Sequence, residues 1–144
     1  MRELRTEIDI DAPTEAVWSA LMNFENYGAW NPFVREISGE PRVGNVLSVF
    51  IKPEGGSGMK LRPKVVKADE NRVFAWKGKL GINGIFDGQH EFIIEPKTAG
   101  TVRFVHREEF SGVLVPVLWP MLEKNTRRGF EDMNKALKTL IEGN

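Results

Sequence analysis

Phe86-Asp87-Gly88-Gln89-His90-Glu91-Phe92-Ile93-Ile94-Glu95-Pro96-Lys97-Thr98-Ala99-Gly100-Thr101-Val102-Arg103-Phe104-Val105-His106-Arg107-Glu108-Glu109-Phe110 is a pair of alternating runs joined by turn-forming residues. In the first run Phe86, Gly88, His90, Phe92 and Ile94 share a face, opposite Asp87, Gln89, Glu91, Ile93 and Glu95. In the second, Val102, Phe104, His106, Glu108 and Phe110 oppose Thr101, Arg103, Val105, Arg107 and Glu109. A period of two over this length is the pattern of half-buried antiparallel strands. Pro96–Gly100 closes a hairpin if Glu95 pairs with Thr101. Counting outward then sets Ile94 opposite Val102, Phe92 opposite Phe104, His90 opposite His106 and Gly88 opposite Glu108. A slip by one residue would turn every apolar side chain to water, whereas a slip by two preserves both faces and stays open.

Working upstream, Arg72–Leu80 alternates as well, with Phe74, Trp76, Gly78 and Leu80 on one face. Pairing across Gly81–Ile85 places Leu80 opposite Phe86 and Trp76 opposite His90. The apolar face of this three-stranded unit therefore carries three polar side chains inward: His90, His106 and Glu108. Gly78 and Gly88 interrupt that face, as glycines do where another group approaches closely.

Earlier strands are read at Leu4–Ile10, Val34–Glu40, Val46–Lys52 and Lys60–Ala68, the last with an edge or bulge at Pro63. Between the first two, Ala12-Pro13-Thr14-Glu15 switches the period, and Val17, Trp18, Leu21 and Met22 form the stripe of a helix ending near Phe24. Asn26–Pro32 is a second short helix or a tight corner. From Met121 to Glu142, Leu122, Phe130, Met133, Leu137, Leu140 and Ile141 recur at helical spacing, with Thr126 and Gly129 on the same stripe. Such a helix spans about 33 Å, enough to lie across a sheet. Gly129 in its interior implies either close packing or room for a ligand.

Composition narrows the function classes. The chain has 144 residues, a length that suits one domain over 1–144 with a real core. Lys plus Arg balances Asp plus Glu at 20 each, so charge steers the protein towards neither nucleic acid nor an anionic membrane. Absence of cysteine removes disulfides, thiolate metal sites and cysteine nucleophiles. Met1-Arg2-Glu3-Leu4-Arg5 has no apolar signal core and no uncharged run reaches membrane-spanning length, which leads to the expectation of a soluble cytoplasmic protein without stable membrane insertion.

The order strand, helix, helical corner, six strands, long terminal helix specifies an α+β domain. With Ile10-Asp11-Ala12-Pro13-Thr14-Glu15-Ala16-Val17-Trp18 leading into Tyr27-Gly28-Ala29-Trp30-Asn31-Pro32-Phe33, and a closing Arg128-Gly129-Phe130-Glu131-Asp132-Met133-Asn134, it resembles the helix-grip superfamily of START-related and pollen-allergen-like proteins. Within that superfamily it looks most like the bacterial polyketide cyclase/dehydrase and lipid-transport group. The resemblance implies a helix-grip fold: a curved antiparallel sheet wrapped around the long C-terminal helix, two short helices after the first strand, and a deep cavity between sheet and terminal helix. It also implies an apolar or amphipathic ligand such as a lipid, a quinone or a polyketide-like molecule, and it assigns no catalytic set and no cofactor.

Three readings of the inward trio follow. In the first, His90 and His106 are satisfied by each other, by backbone or by water while Glu108 stays solvated, since opposed strand residues come within hydrogen-bonding reach. Alternatively the trio orients a mostly apolar ligand, or Glu108 and an imidazole move protons in a cyclisation and dehydration. A metal is not expected, because opposed strand positions fit a facial triad only by accident. The expected ligand-binding set is Trp76, His90, Phe92, Phe104, His106, Glu108, Leu122, Thr126, Phe130 and Met133, with His90, His106 and Glu108 as the catalytic residues of an enzyme. Gly55-Gly56-Ser57-Gly58-Met59-Lys60 lacks phosphate-loop spacing, and no Gly-x-Ser-x-Gly elbow occurs. The uncharged run Val113–Leu122 reads as a buried lead-in to the terminal helix, or as an apolar gate for transient contact with a membrane or protein partner. A protein-interaction module would use that run and leave the interior filled by side chains.

Overall fold

Alternation fixes which residues pair, and in the computed structural model, which describes residues 1–53, 56–79 and 84–143, it builds two antiparallel sheets. The larger one runs β1 (Arg2–Ile10), β8 (Thr101–Ser111), β7 (Asp87–Thr98), β6 (Val73–Lys79) and β5 (Lys64–Asp69) in spatial order. The smaller comprises β2 (Val34–Ser38), β3 (Ser48–Ile51) and β4 (Met59–Leu61). The single strand expected over Lys60–Ala68 is instead two, β4 and β5, one in each sheet, because Pro63 has no ladder donor and interrupts the run. The break remains stitched, because Leu47 N–H donates to the Pro63 carbonyl at 2.8 Å and Val65 N–H to Asn45 at 2.9 Å. The two sheets therefore meet at a bend, the curvature a helix-grip fold requires.

Pairing of β6 with β7 follows the expected register, Trp76 opposite His90 and Gly78 opposite Gly88; the Leu80–Phe86 pair lies outside the described residues. Between β7 and β8 the register is the two-residue alternative. Thr98 pairs with Thr101 around Ala99-Gly100, so His90 faces Glu108, Phe92 faces His106 and Gly88 faces Phe110. The cause is Pro96, which ends no strand here. β6 pairs with β7 only as far as Ile93, so the missing Pro96 N–H has no neighbouring strand to fail, and a bulge between Pro96 and Thr98 absorbs the irregularity. Because the slip is even, the faces are unchanged.

The helices close the concave face. In α1 (Thr14–Met22) Val17 and Leu21 are buried, and Trp18 meets Phe74 edge-on at 6.5 Å. A turn of 3-10 helix and α2 (Tyr27–Trp30) form the corner. Tyr27 hydroxyl donates to the Leu21 carbonyl at 2.6 Å, and Asn31 Oδ1 accepts from the Phe33 and Val34 amides at 2.9 and 2.8 Å. That corner aims Phe33 at α3, where its ring occupies the space a side chain at Gly129 would need. Gly129 thus serves close packing, one of the two expected uses. Helix α3 spans Val115–Glu142, six residues longer at its start than the periodicity from Met121 indicated. Pro116 sits in the first turn, where its absent N–H costs nothing, and Pro120 is exposed. Phe130, Met133 and Leu137 of α3 are fully buried against β1 and β8.

Candidate functional site

Four of the inward-facing polar residues stand on the adjacent strands β1, β8 and β7, and the fifth comes from α3. His90 and His106 are diagonal neighbours whose Nε2 atoms approach to 2.6 Å, with both residues essentially inaccessible. His90 Nδ1 faces Glu108 Oε1 at 3.3 Å. His106 Nδ1 meets Asn134 Oδ1 at 3.0 Å, Asn134 Nδ2 donates to Thr6 Oγ1 at 2.9 Å, and Thr6 Oγ1 donates to the His106 carbonyl at 2.9 Å. The result is a chain: Glu108, His90, His106, Asn134, Thr6. It is closed at the Thr6 end and reaches solvent at Glu108, whose side chain is 17% exposed. Gly88 makes this possible, because a Cβ there would collide with the Glu108 carboxylate.

Donor and acceptor accounting fixes the protons along this chain. A carbonyl only accepts, so the Thr6 hydroxyl must donate to His106 O and accept from the Asn134 amide. Asn134 therefore turns its oxygen to His106, which must carry its proton on Nδ1. Burial, and after it the charge of a neighbouring His90, hold the His106 imidazole well below the usual histidine value, against the pull of Asn134. Neutral and protonated at Nδ1, His106 presents a bare Nε2, so His90 Nε2 is the donor of the 2.6 Å contact. His90 Nδ1 and Glu108 Oε1 then face each other at 3.3 Å, where a proton on either atom would make the contact attractive.

His106 also gives a pH prediction. Its unfolded form takes a proton near the ordinary histidine value of about 6.5 while the folded form does not, so the unfolded state binds more protons below that pH and folding weakens as pH falls. The expected contribution is flat above about pH 6.5 and then a loss of up to about 1.4 kcal/mol per pH unit towards pH 5.5. Urea unfolding across that range measures it, and a stability unchanged over the interval contradicts a buried neutral His106.

Aromatic rings enclose the pair. Phe130 stacks on His106 with centroids 3.9 Å apart, Trp76 lies 4.9 Å from His90, and Phe92 lies 4.8 and 4.7 Å from the two imidazoles. Of the expected binding residues, Trp76, His90, Phe92, Phe104, His106, Phe130 and Met133 are all buried and closed on one another. Glu108, Leu122 and Thr126 are only half-buried. Residue spacing explains the division: two residues along β8 and four back along α3 are each about 6 Å. Glu108 thus stands level with Thr126, and Phe110 reaches Trp119 at 6.0 Å. The α3–sheet seam is tight from Gly129 onward and looser towards the helix start.

Asn134 and Thr6 were not among the sequence candidates. Both had a signal: Thr6 falls in the apolar phase of β1 between Leu4 and Ile8, and Asn134 lies four residues from Phe130 on the buried stripe. Two pockets of about 480 and 490 Å³ open elsewhere, the second lined by Pro32, Phe33, Arg35, Lys52, Pro53, Gly129 and Asp132. Neither is lined by a member of the chain, although Phe33 stands 6.5 Å from His106. Among the described residues no cluster of three His, Cys, Asp or Glu is placed to hold a metal ion, and no helix is long and apolar enough to cross a membrane.

The family described as polyketide cyclase / dehydrase and lipid transport matches residues 1–142. No curated protein matches the sequence. Among solved structures, a START superfamily protein from Mycobacterium smegmatis is 21% identical, with 98% of this chain and 97% of that one covered and a TM-score of 0.79. An aromatase/cyclase from a Streptomyces species, Zhui, is 18% identical over 98% and 93% of the two chains, TM-score 0.74. Norcoclaurine synthase from Thalictrum flavum, a point mutant bound to a transition-state analogue, is 14% identical over 99% and 94%, TM-score 0.76. These likenesses show a shared fold.

Proposed function

The chain belongs to the family described as polyketide cyclase / dehydrase and lipid transport, and we propose that it binds a mostly apolar small molecule with one hydrogen-bonding group in the looser part of the seam between sheet and α3. The observation that carries this is Glu108. It is the one member of the inward trio that meets solvent, it is backed by two buried imidazoles, and next to it on the same face of β8 is Phe110, whose ring meets the half-buried Phe86 and Trp119 at 5.9 and 6.0 Å. Few convergent polar groups in an apolar setting are what orients such ligands. His90 and Trp76 lie behind Glu108 as support.

A second reading is favoured by the approach of His90 Nδ1 to Glu108 Oε1 at 3.3 Å, where a proton on either atom would be shared. A carboxyl that gives up or accepts that proton at the ligand, with His90 as its reservoir, is equipped for general acid and base catalysis on a carbonyl-bearing substrate. Glu108→Gln separates the readings cleanly. The new amide donates to a bare His90 Nδ1, so the network stays satisfied while the exchangeable proton is gone.

Native mass spectrometry of the protein from its own host, with extraction of released small molecules, is the test. A stoichiometric apolar adduct that Glu108→Gln weakens is the expected result. Where a turned-over substrate is found, Glu108→Gln is expected to slow it by about 10²–10⁴-fold with binding retained. A clean mass together with no native-state fluorescence gain from anilinonaphthalene sulfonate sinks the binding reading.

A further inference from the structure

The run Val113–Leu122 is not the buried lead-in that its lack of charge suggested. Val113, Leu114, Val117 and Met121 are 70%, 43%, 76% and 55% exposed, while Val115 alone in that run is fully buried. Leu114, Val117 and Met121 follow one another at helical spacing of three and four, so they form a single outward stripe on the first turns of α3. Pro116 and Pro120 are exposed beside it. Four large apolar side chains gathered at one tip are unlike the scattered exposed apolar residues of an ordinary surface.

The charges around this tip have one sign available. Lys124 continues the stripe one turn beyond Met121, and Arg2, paired with Phe110 at the adjoining strand end, lies over the Trp119 ring at 5.5 Å. Lys79 closes β6 at the same end of the sheet, opposite Asp87, which in turn pairs with Ser111. All three cations are exposed, and among the described residues none has a carboxylate partner. The nearby carboxylates are held or turned inward: Glu123 is held by Arg127 at 2.9 Å, and Asp87 is half-buried, its Oδ2 accepting from the Gly84 amide at 3.0 Å and its Oδ1 out of reach of solvent. Exposed apolar side chains ringed by unpaired cations complement a surface with an apolar interior and anionic headgroups.

We propose that this tip docks on an anionic lipid bilayer, with Val113, Leu114, Val117 and Met121 entering the acyl boundary and Arg2, Lys79 and Lys124 at the headgroups. The docking is independent of what Glu108 contacts, so either proposal can fail alone.

Co-sedimentation of the full chain with vesicles of phosphatidylcholine alone, and of phosphatidylcholine mixed with phosphatidylglycerol, tests it. Binding to the mixed vesicles is expected to exceed binding to the neutral ones by on the order of tenfold or more and to weaken with salt. Val117→Asp with Met121→Asp is expected to abolish it, and Lys79→Ala with Lys124→Ala to remove the preference for anionic vesicles. These side chains are exposed, so circular dichroism should be unchanged in every variant. The proposal is overturned by absence of binding at low salt, or by binding that survives Val117→Asp with Met121→Asp. It is equally overturned if the protein is a dimer that those two changes convert to monomer without any vesicle binding, which would assign the face to a second copy of the chain.

Discussion

Phe130→Ala is expected to lower the unfolding free energy by about 3–5 kcal/mol, a large part of the margin of a domain this size. The ring is fully buried, stacks on His106 at 3.9 Å, and touches His90 and Phe33 at centroid distances of 5.0 and 5.6 Å. Removing it therefore opens a void walled by rings that are themselves fixed by β7, β8 and the α2 corner, and that cannot collapse into the space. The expectation from the sequence is a Phe130 on the wall of a cavity. A side chain facing an open cavity has contacts on one side only, and truncating it costs correspondingly less. Urea unfolding of the variant thus measures which description holds at this position. A cost near 1 kcal/mol would mean that the ring borders open space, and the proposed binding region would then extend inward from Glu108 to the histidine pair.

The order of elements and the faces of the strands were legible because both depend on period alone. Apolar residues at every second position on β7 and β8 admit one assignment of inside and outside, and His90, His106 and Glu108 came out inward on that ground. Register was less legible. It turned on whether Pro96 ended a strand, and that depended on β6 beginning at Val73, opposite Ile93, a fact about the neighbouring strand rather than about the hairpin. The even slip kept the trio together but changed its partners: His90 opposes Glu108, and the two imidazoles meet on the diagonal. The exposure of Val117 and Met121 was illegible for a related reason. An uncharged run is equally consistent with burial and with an outward stripe, and the choice between them is made by which other elements exist to cover it. Nothing within the run encodes that. Asn134 was passed over because a polar residue on an apolar stripe is usually weighed by itself, whereas its partner Thr6 lies 128 positions away.

Asn134→Leu tests the deepest part of the site, and its effect is expected at both ends of the hydrogen-bonded chain. The substitution keeps the branching of the side chain and removes the acceptor for His106 Nδ1–H, so one polar atom in the core loses its partner, at about 1–3 kcal/mol. The less costly response is for His106 to move its proton to Nε2, leaving a bare Nδ1 towards the new leucine. His106 Nε2–H can then only donate to His90, whose Nε2 becomes the acceptor and whose proton passes to Nδ1. His90 Nδ1–H now donates to Glu108, which needs no proton of its own to satisfy the 3.3 Å contact. A change at a residue remote from solvent thereby makes the exposed end a plain carboxylate acceptor. Nitrogen chemical shifts of the two imidazoles report it: the native protein should show His106 protonated at Nδ1, and the variant should show it protonated at Nε2. A purely structural asparagine would account for the lost stability but leave the tautomer in place. If His106 carries its proton on Nε2 in the native protein, the chain runs the other way, Glu108 is an ordinary ionised anchor, and the acid and base chemistry proposed for it loses its source.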